Sequence, residues 1–179
     1  NEPKSLGGNV VNQVQNYLKA TEFNMKQCEP KRLVPPNHIY EVNATGLEKN
    51  YYYNLLDWSQ KDVVAIGFHT DLVMSKYQTM NFESVFSTEE LNVNQQESEF
   101  NENLITSLKW MNNGIVIALG LNDGQIALFD AVRQVPIRVL LGHQKRVTSL
   151  AWNNFVISSG GYDNMIFNKD IREKGYITS

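Results

Sequence analysis

One cysteine, Cys28, stands in 179 residues, so no internal disulfide can form. That absence fits a reducing compartment, cytosol or nucleus, and the expected location is nucleus and cytoplasm. No apolar run approaches the roughly 18 residues that cross a membrane as a helix. Asn1-Glu2-Pro3-Lys4-Ser5 lacks the charged-then-apolar order of a secretion signal, so Asn43-Ala44-Thr45 reads as a chance match to a glycosylation acceptor. A net charge of −3 and a pI near 5.6 argue against general nucleic-acid binding. The three histidines and Cys28 do not cluster, so no zinc site and no cofactor is expected. Gly7-Gly8 lacks the lysine and the strand–helix context of a phosphate loop. Asp57 and Asp62 lie five apart with nothing marking them as an acid/base pair, and no enzyme is expected. No lysine or arginine occurs between Lys76 and Lys109.

What is present is a repeat. Leu55-Leu56-Asp57-Trp58 is followed by Val63-Val64-Ala65-Ile66, Ser107-Leu108-Lys109-Trp110 by Ile115-Val116-Ile117-Ala118, and Ser149-Leu150-Ala151-Trp152 by Phe155-Val156-Ile157-Ser158. Trp58 and Trp110 are 52 residues apart, Trp110 and Trp152 are 42 apart. A period of about 40–45 residues made of short strands marks β-propeller blades. The run at 63–68 is apolar throughout, as for a strand buried on both faces. Asn112-Asn113-Gly114 and Asn122-Asp123-Gly124 supply turn residues that tolerate positive φ.

The expected organisation is an N-terminal tail over 1–37, mostly disordered or extended, then a partial all-β propeller over 38–179. Val10, Val11, Val14, Tyr17 and Leu18 fall at helical spacing, which allows a short amphipathic helix over 10–19. Residues 39–42 allow a short strand. Blade one is placed at about 51–77. Blade two, at about 82–129, carries a polar insertion over 89–102, with Glu89, Glu90, Glu97, Glu99 and Glu102. Blade three is placed at about 136–171, and 175–179 begins the next.

Gly142-His143 before the third tryptophan strand, with Asp163 in a later turn, resembles WD-repeat propellers. There the His and the turn Asp form a buried hydrogen-bond network with a strand hydroxyl, for which Ser158 is the expected partner. The tryptophan usual in the last strand is missing, since Phe167-Asn168-Lys169-Asp170 stands there. His143, Ser158 and Asp163 could also be read as a nucleophile triad, and the repeat context assigns them to structure instead.

Lys31-Arg32-Leu33-Val34-Pro35-Pro36, Tyr51-Tyr52-Tyr53-Asn54-Leu55-Leu56-Asp57-Trp58-Ser59 and the run 147–160 with Asp170-Ile171-Arg172 resemble the fizzy and fizzy-related family over roughly residues 31–175. These are WD-repeat activators of the anaphase-promoting complex. The resemblance implies a seven-bladed propeller that binds degradation signals of cell-cycle proteins and presents them for ubiquitination. It implies protein partners: the complex itself, degron-bearing substrates and checkpoint proteins. It implies a destruction-box groove between the first and last blades, with Asp57 facing the arginine of that signal and Leu56 on the apolar side. The bland reading of Asp57 is a cap on its own strand end.

Departures accompany the match. The chain holds three blades and the start of a fourth, and about 4–8 close a ring. Val42-Asn43-Ala44-Thr45 stands where the family reads Leu-Asp-Ala-Pro. The expectation is a fragment of a longer protein, or a chain whose open edges pair with a second copy or another protein. A WD-repeat scaffold without degron binding, and a truncated product without activity, are the alternatives.

Overall fold

The computed structural model describes residues 37, 41–79, 81–91 and 103–173. By internal contacts the chain divides into two units, 1–43 and 44–179. In the first, Asn37, Glu41, Val42 and Asn43 are exposed and outside regular structure, so 41–42 are not a strand. The helix expected at 10–19, residues 92–102 of the insertion and the strand expected at 175–179 lie outside the described residues.

The second unit is built of three antiparallel sheets. β1 (Leu56–Trp58), β2 (Val63–Phe68), β3 (Asp71–Lys76) and β4 (Glu83–Ser87) pair in sequence order as the first sheet. β5 (Ile105–Trp110), β6 (Val116–Leu121), β7 (Ile126–Asp130) and β8 (Val135–Leu140) form the second. β9 (Val147–Asn153), β10 (Val156–Gly161) and β11 (Ile166–Asp170) form the third. A 3-10 turn, Thr88–Glu90, follows β4. The described residues are a WD40-type propeller segment with an open ring.

Sheets and repeats are cut one strand apart. Residues 82–86 were expected to open the second blade, yet β4 pairs with β3, Leu72 opposite Phe86, and completes the first sheet. Residues 137–141 were expected to open the third blade, yet β8 pairs with β7, Ile126 opposite Leu140. Short connections favour the antiparallel neighbour just behind in sequence.

The core lies between sheets. Leu55, Ala65, Leu72, Phe86, Leu108, Ile117, Leu119 and Phe129 form one cluster, with the Phe86 and Phe129 rings 4.8 Å apart. Ala118, Ile126, Leu128, Leu140, Val147, Leu150 and Ile157 form another. Adjacent residues 117 and 118 enter different clusters because successive strand side chains face opposite ways. The second sheet is covered on both faces, which is why β6 and β7 read as continuous apolar runs. Gly114 (φ 63°) and Gly124 (φ 93°) adopt the left-handed backbone at the two turns that the sequence marks.

Candidate functional site

Leu56 and Asp57 lie on β1, Ser158 lies on β10, and His143 and Asp163 lie in the turns around β9 and β10. Alternation along β1 sends Leu55 and Asp57 toward the second sheet, and Leu56 and Trp58 to the other side. Leu55 is buried in the core, whereas Leu56 is 60% exposed. Trp58 is also exposed and packs on Tyr77, ring centroids 4.9 Å apart.

Asp57 is occupied. Its Oδ1 lies 2.6 Å from Lys109 Nζ, and its Oδ2 accepts the Trp110 N–H at 2.7 Å. The Asp57 side chain is only 15% exposed. Asn54 binds β5 through backbone as well: its N–H donates to Thr106 O and its carbonyl accepts from Leu108 N–H. Asp57 therefore ties the first sheet to the second rather than capping its own strand. Leu56 and Asp57 stay adjacent along the chain but on opposite faces of β1. A ligand touching both must cross the strand edge.

The second candidate group forms a closed network, with one correction. His143 Nδ1 lies 3.0 Å from Asp163 Oδ1, and Nε2 lies 2.9 Å from Ser159 Oγ, not Ser158. In the register of β9–β10–β11, Ser159 stands opposite Leu150 and Phe167, on the face toward the second sheet. Ser158 stands opposite Ala151 and Asn168, on the other face, and its Oγ bonds Asn168 Oδ1 at 2.6 Å. Parity along β10 decides which hydroxyl reaches the histidine.

Asp163 also accepts the N–H groups of Gln144 and Met165. Burial works to raise its pKa, but those bonds and His143 prevail and hold it at about 2. An ionised Asp163 only accepts, so Nδ1 donates to it. Nε2, on the other side of the ring, is left to pair with the Ser159 hydroxyl. The connectivity is that of a serine triad, yet Ser159 is 2% exposed and the histidine 8%, so the hydroxyl is closed to a substrate. Its work is to lock the turn before β9 to the turn after β10.

Lys169, on β11, is buried, and its Nζ donates to the Leu141 carbonyl. Burial, and secondarily the Arg138 charge, lowers its pKa to about 8. Among the described residues no group of three His, Cys, Asp or Glu could hold a metal ion. Sequence reasoning missed Lys109, Trp110 and Ser159. Only strand parity could have found the last.

The chain has relatives. A family model described as the anaphase-promoting complex subunit 4 WD40 domain matches residues 56–155. The chain is 32% identical over 165 residues to the anaphase-promoting complex subunit cdc20 of Dictyostelium discoideum, which covers 92% of this chain and 31% of that protein. It is 35% identical over 159 residues to the Arabidopsis thaliana protein named cell division cycle 20.1, cofactor of APC complex, covering 88% and 32%. Its fold matches a chain in the crystal structure of a mitotic checkpoint complex with TM-score 0.67 and 27% identity, over 81% of this chain and 44% of that one. The chain spans about a third of the length of these curated relatives.

Proposed function

We propose, from the premise that this chain belongs to the fizzy and fizzy-related family of WD40 proteins, that it is part of a substrate-recruiting activator of the anaphase-promoting complex. The observation that carries the reading is likeness across 92% of this chain to a relative named as a subunit of that complex. In this reading the partners are the complex, degron-bearing cell-cycle proteins and checkpoint proteins, in nucleus and cytoplasm. No catalysis is assigned to the chain: it selects and holds a substrate.

Leu56 and Asp57 are the proposed contacts for a destruction-box peptide of the Arg-x-x-Leu kind. A carboxylate holds a guanidinium through charge-assisted, often bidentate bonds. Here the arginine must share Asp57 with Lys109 or displace it. The leucine reaches the exposed Leu56 on the far side of β1. Lys109 is thus a built-in competitor for the arginine.

The test is ubiquitination of a destruction-box substrate by the purified complex, supplied with the full-length protein. Wild type stimulates the reaction, and Asp57→Ala lowers the stimulation for substrates bearing Arg-x-x-Leu. No stimulation by folded wild-type protein would refute the activator reading. Equal stimulation by Asp57→Ala would refute the assigned contact.

A further inference from the structure

Arg146, just before β9, is held in an unusual setting. Its Cζ lies 4.3 Å from the Tyr162 ring centroid and 6.0 Å from that of Tyr53. Its Nε is buried and has no hydrogen-bond partner. Among the described residues no carboxylate forms an ion pair with Arg146 or with neighbouring Lys145. Asp163, beside Tyr162, is committed to His143 and to the Gln144 and Met165 N–H groups.

Backbone bonds explain how residues from the first and third sheets meet. Asn54 N–H donates to Thr106 O, and Thr106 Oγ1 donates to Val147 O at 2.6 Å. Tyr53 and Arg146 are thereby set side by side where β1, β5 and β9 begin. Tyr162 N–H donates to Arg146 O at 2.9 Å, which fixes the loop after β10 against the entry of β9. Gly124 packs so closely on this loop that a Cβ there would lie 3.0 Å from Lys145 O. The cation is preorganised, so little ordering entropy remains to be lost on binding.

We propose that Arg146, framed by Tyr53 and Tyr162 and assisted by Lys145, is a receptor for an acidic side chain, aspartate or glutamate, of a bound polypeptide. A guanidinium on aromatic rings gains cation–π energy but keeps its charge uncompensated. An incoming carboxylate supplies the missing counter-charge at the accessible edge of the guanidinium, whose planar fork suits it. The partner is a protein because the lip around the cation is aromatic. Tyr51 and Tyr52 are exposed beside Tyr53, and tyrosine with arginine is the composition of binding hot spots. The site is separate from Asp57 and does not rest on the degron reading.

The test is an NMR titration of the chain with a terminally blocked heptapeptide holding one central glutamate, against its glutamine counterpart and a phosphoserine counterpart. The expected result is a saturable shift of the Arg146 Nε–H and Tyr162 amide resonances with the glutamate peptide. The glutamine peptide binds at least tenfold weaker. Arg146→Gln abolishes the response, and Asp57→Ala leaves it intact. Tyr162→Leu, which keeps the charge at an exposed position, weakens it about threefold; it is the fallback should Arg146→Gln fail to fold. Equal response to glutamate and glutamine, response to phosphoserine alone, or undiminished binding by Tyr162→Leu would overturn the proposal.

Discussion

Two serines adjacent in sequence, Ser158 and Ser159, have different work. Ser159→Ala leaves His143 Nε2 buried without its partner, which costs about 1–3 kcal/mol. Ser158→Ala removes only the bond to Asn168, at a cost of about 1 kcal/mol or less. Urea unfolding of the two variants checks the order, and equal losses would contradict the network as drawn. Two titrating groups add a pH signature. Asp163 sits at about 2 in the folded chain against 3.8 for the free side chain. The unfolded chain binds the proton first, so this contribution is full above about pH 4 and is lost as pH falls through 2. Lys169 sits at about 8 against 10.5. Between those values the unfolded chain keeps a proton that the native lysine has released, so stability rises with pH across that window. Lys169→Met is expected to lose that rise, measured as the difference in urea midpoint between pH 7.5 and pH 10; an unchanged rise would contradict the assignment.

At the scale of strands and sheets, glycine sets how closely one sheet approaches the next. A Cβ at Gly120 would strike Ser107 Oγ and lie 2.8 Å from Val147 Cβ. Gly120→Ala is therefore expected to push β9 off β6 and cost about 1–3 kcal/mol in thermal or urea unfolding. Wild-type stability in that variant would mean that the sheets are less tightly joined. The strands themselves were legible, because β2 and β6 are short apolar runs bounded by turn residues. The grouping of strands into sheets was less so. A fourth strand pairs with whatever edge lies beside it, and Val135–Leu140 carries no local mark that its partner is β7. The candidate site shows the same limit. Asp57 was legible as a residue of interest, but its engagement by Lys109 joins positions 52 apart and depends on how two sheets pack.

For the molecule as a whole, equivalent positions differ from sheet to sheet. By register, Leu72, Ile126 and Ile166 correspond, as do Met74, Leu128 and Asn168. The first two of each set are buried between sheets, while Ile166 is 76% exposed and Asn168 is polar. Sheets one and two are thus joined by an apolar seam to the sheet that follows. The indole N–H of Trp152 adds a bond across the second seam, to Lys109 O at 3.0 Å. Lys109 links all three sheets, since its backbone holds the third sheet and its side chain holds Asp57 of the first. If Asp57 receives the arginine of a degradation signal, Lys109 restrains that binding. The most direct measurement is calorimetric titration of an Arg-x-x-Leu peptide into wild type, Asp57→Ala and Lys109→Met, each shown to be folded. Asp57→Ala is expected to weaken binding by about 1–3 kcal/mol, and Lys109→Met is expected to tighten it. Equal affinity in all three, or loss of binding with Lys109→Met, would contradict this.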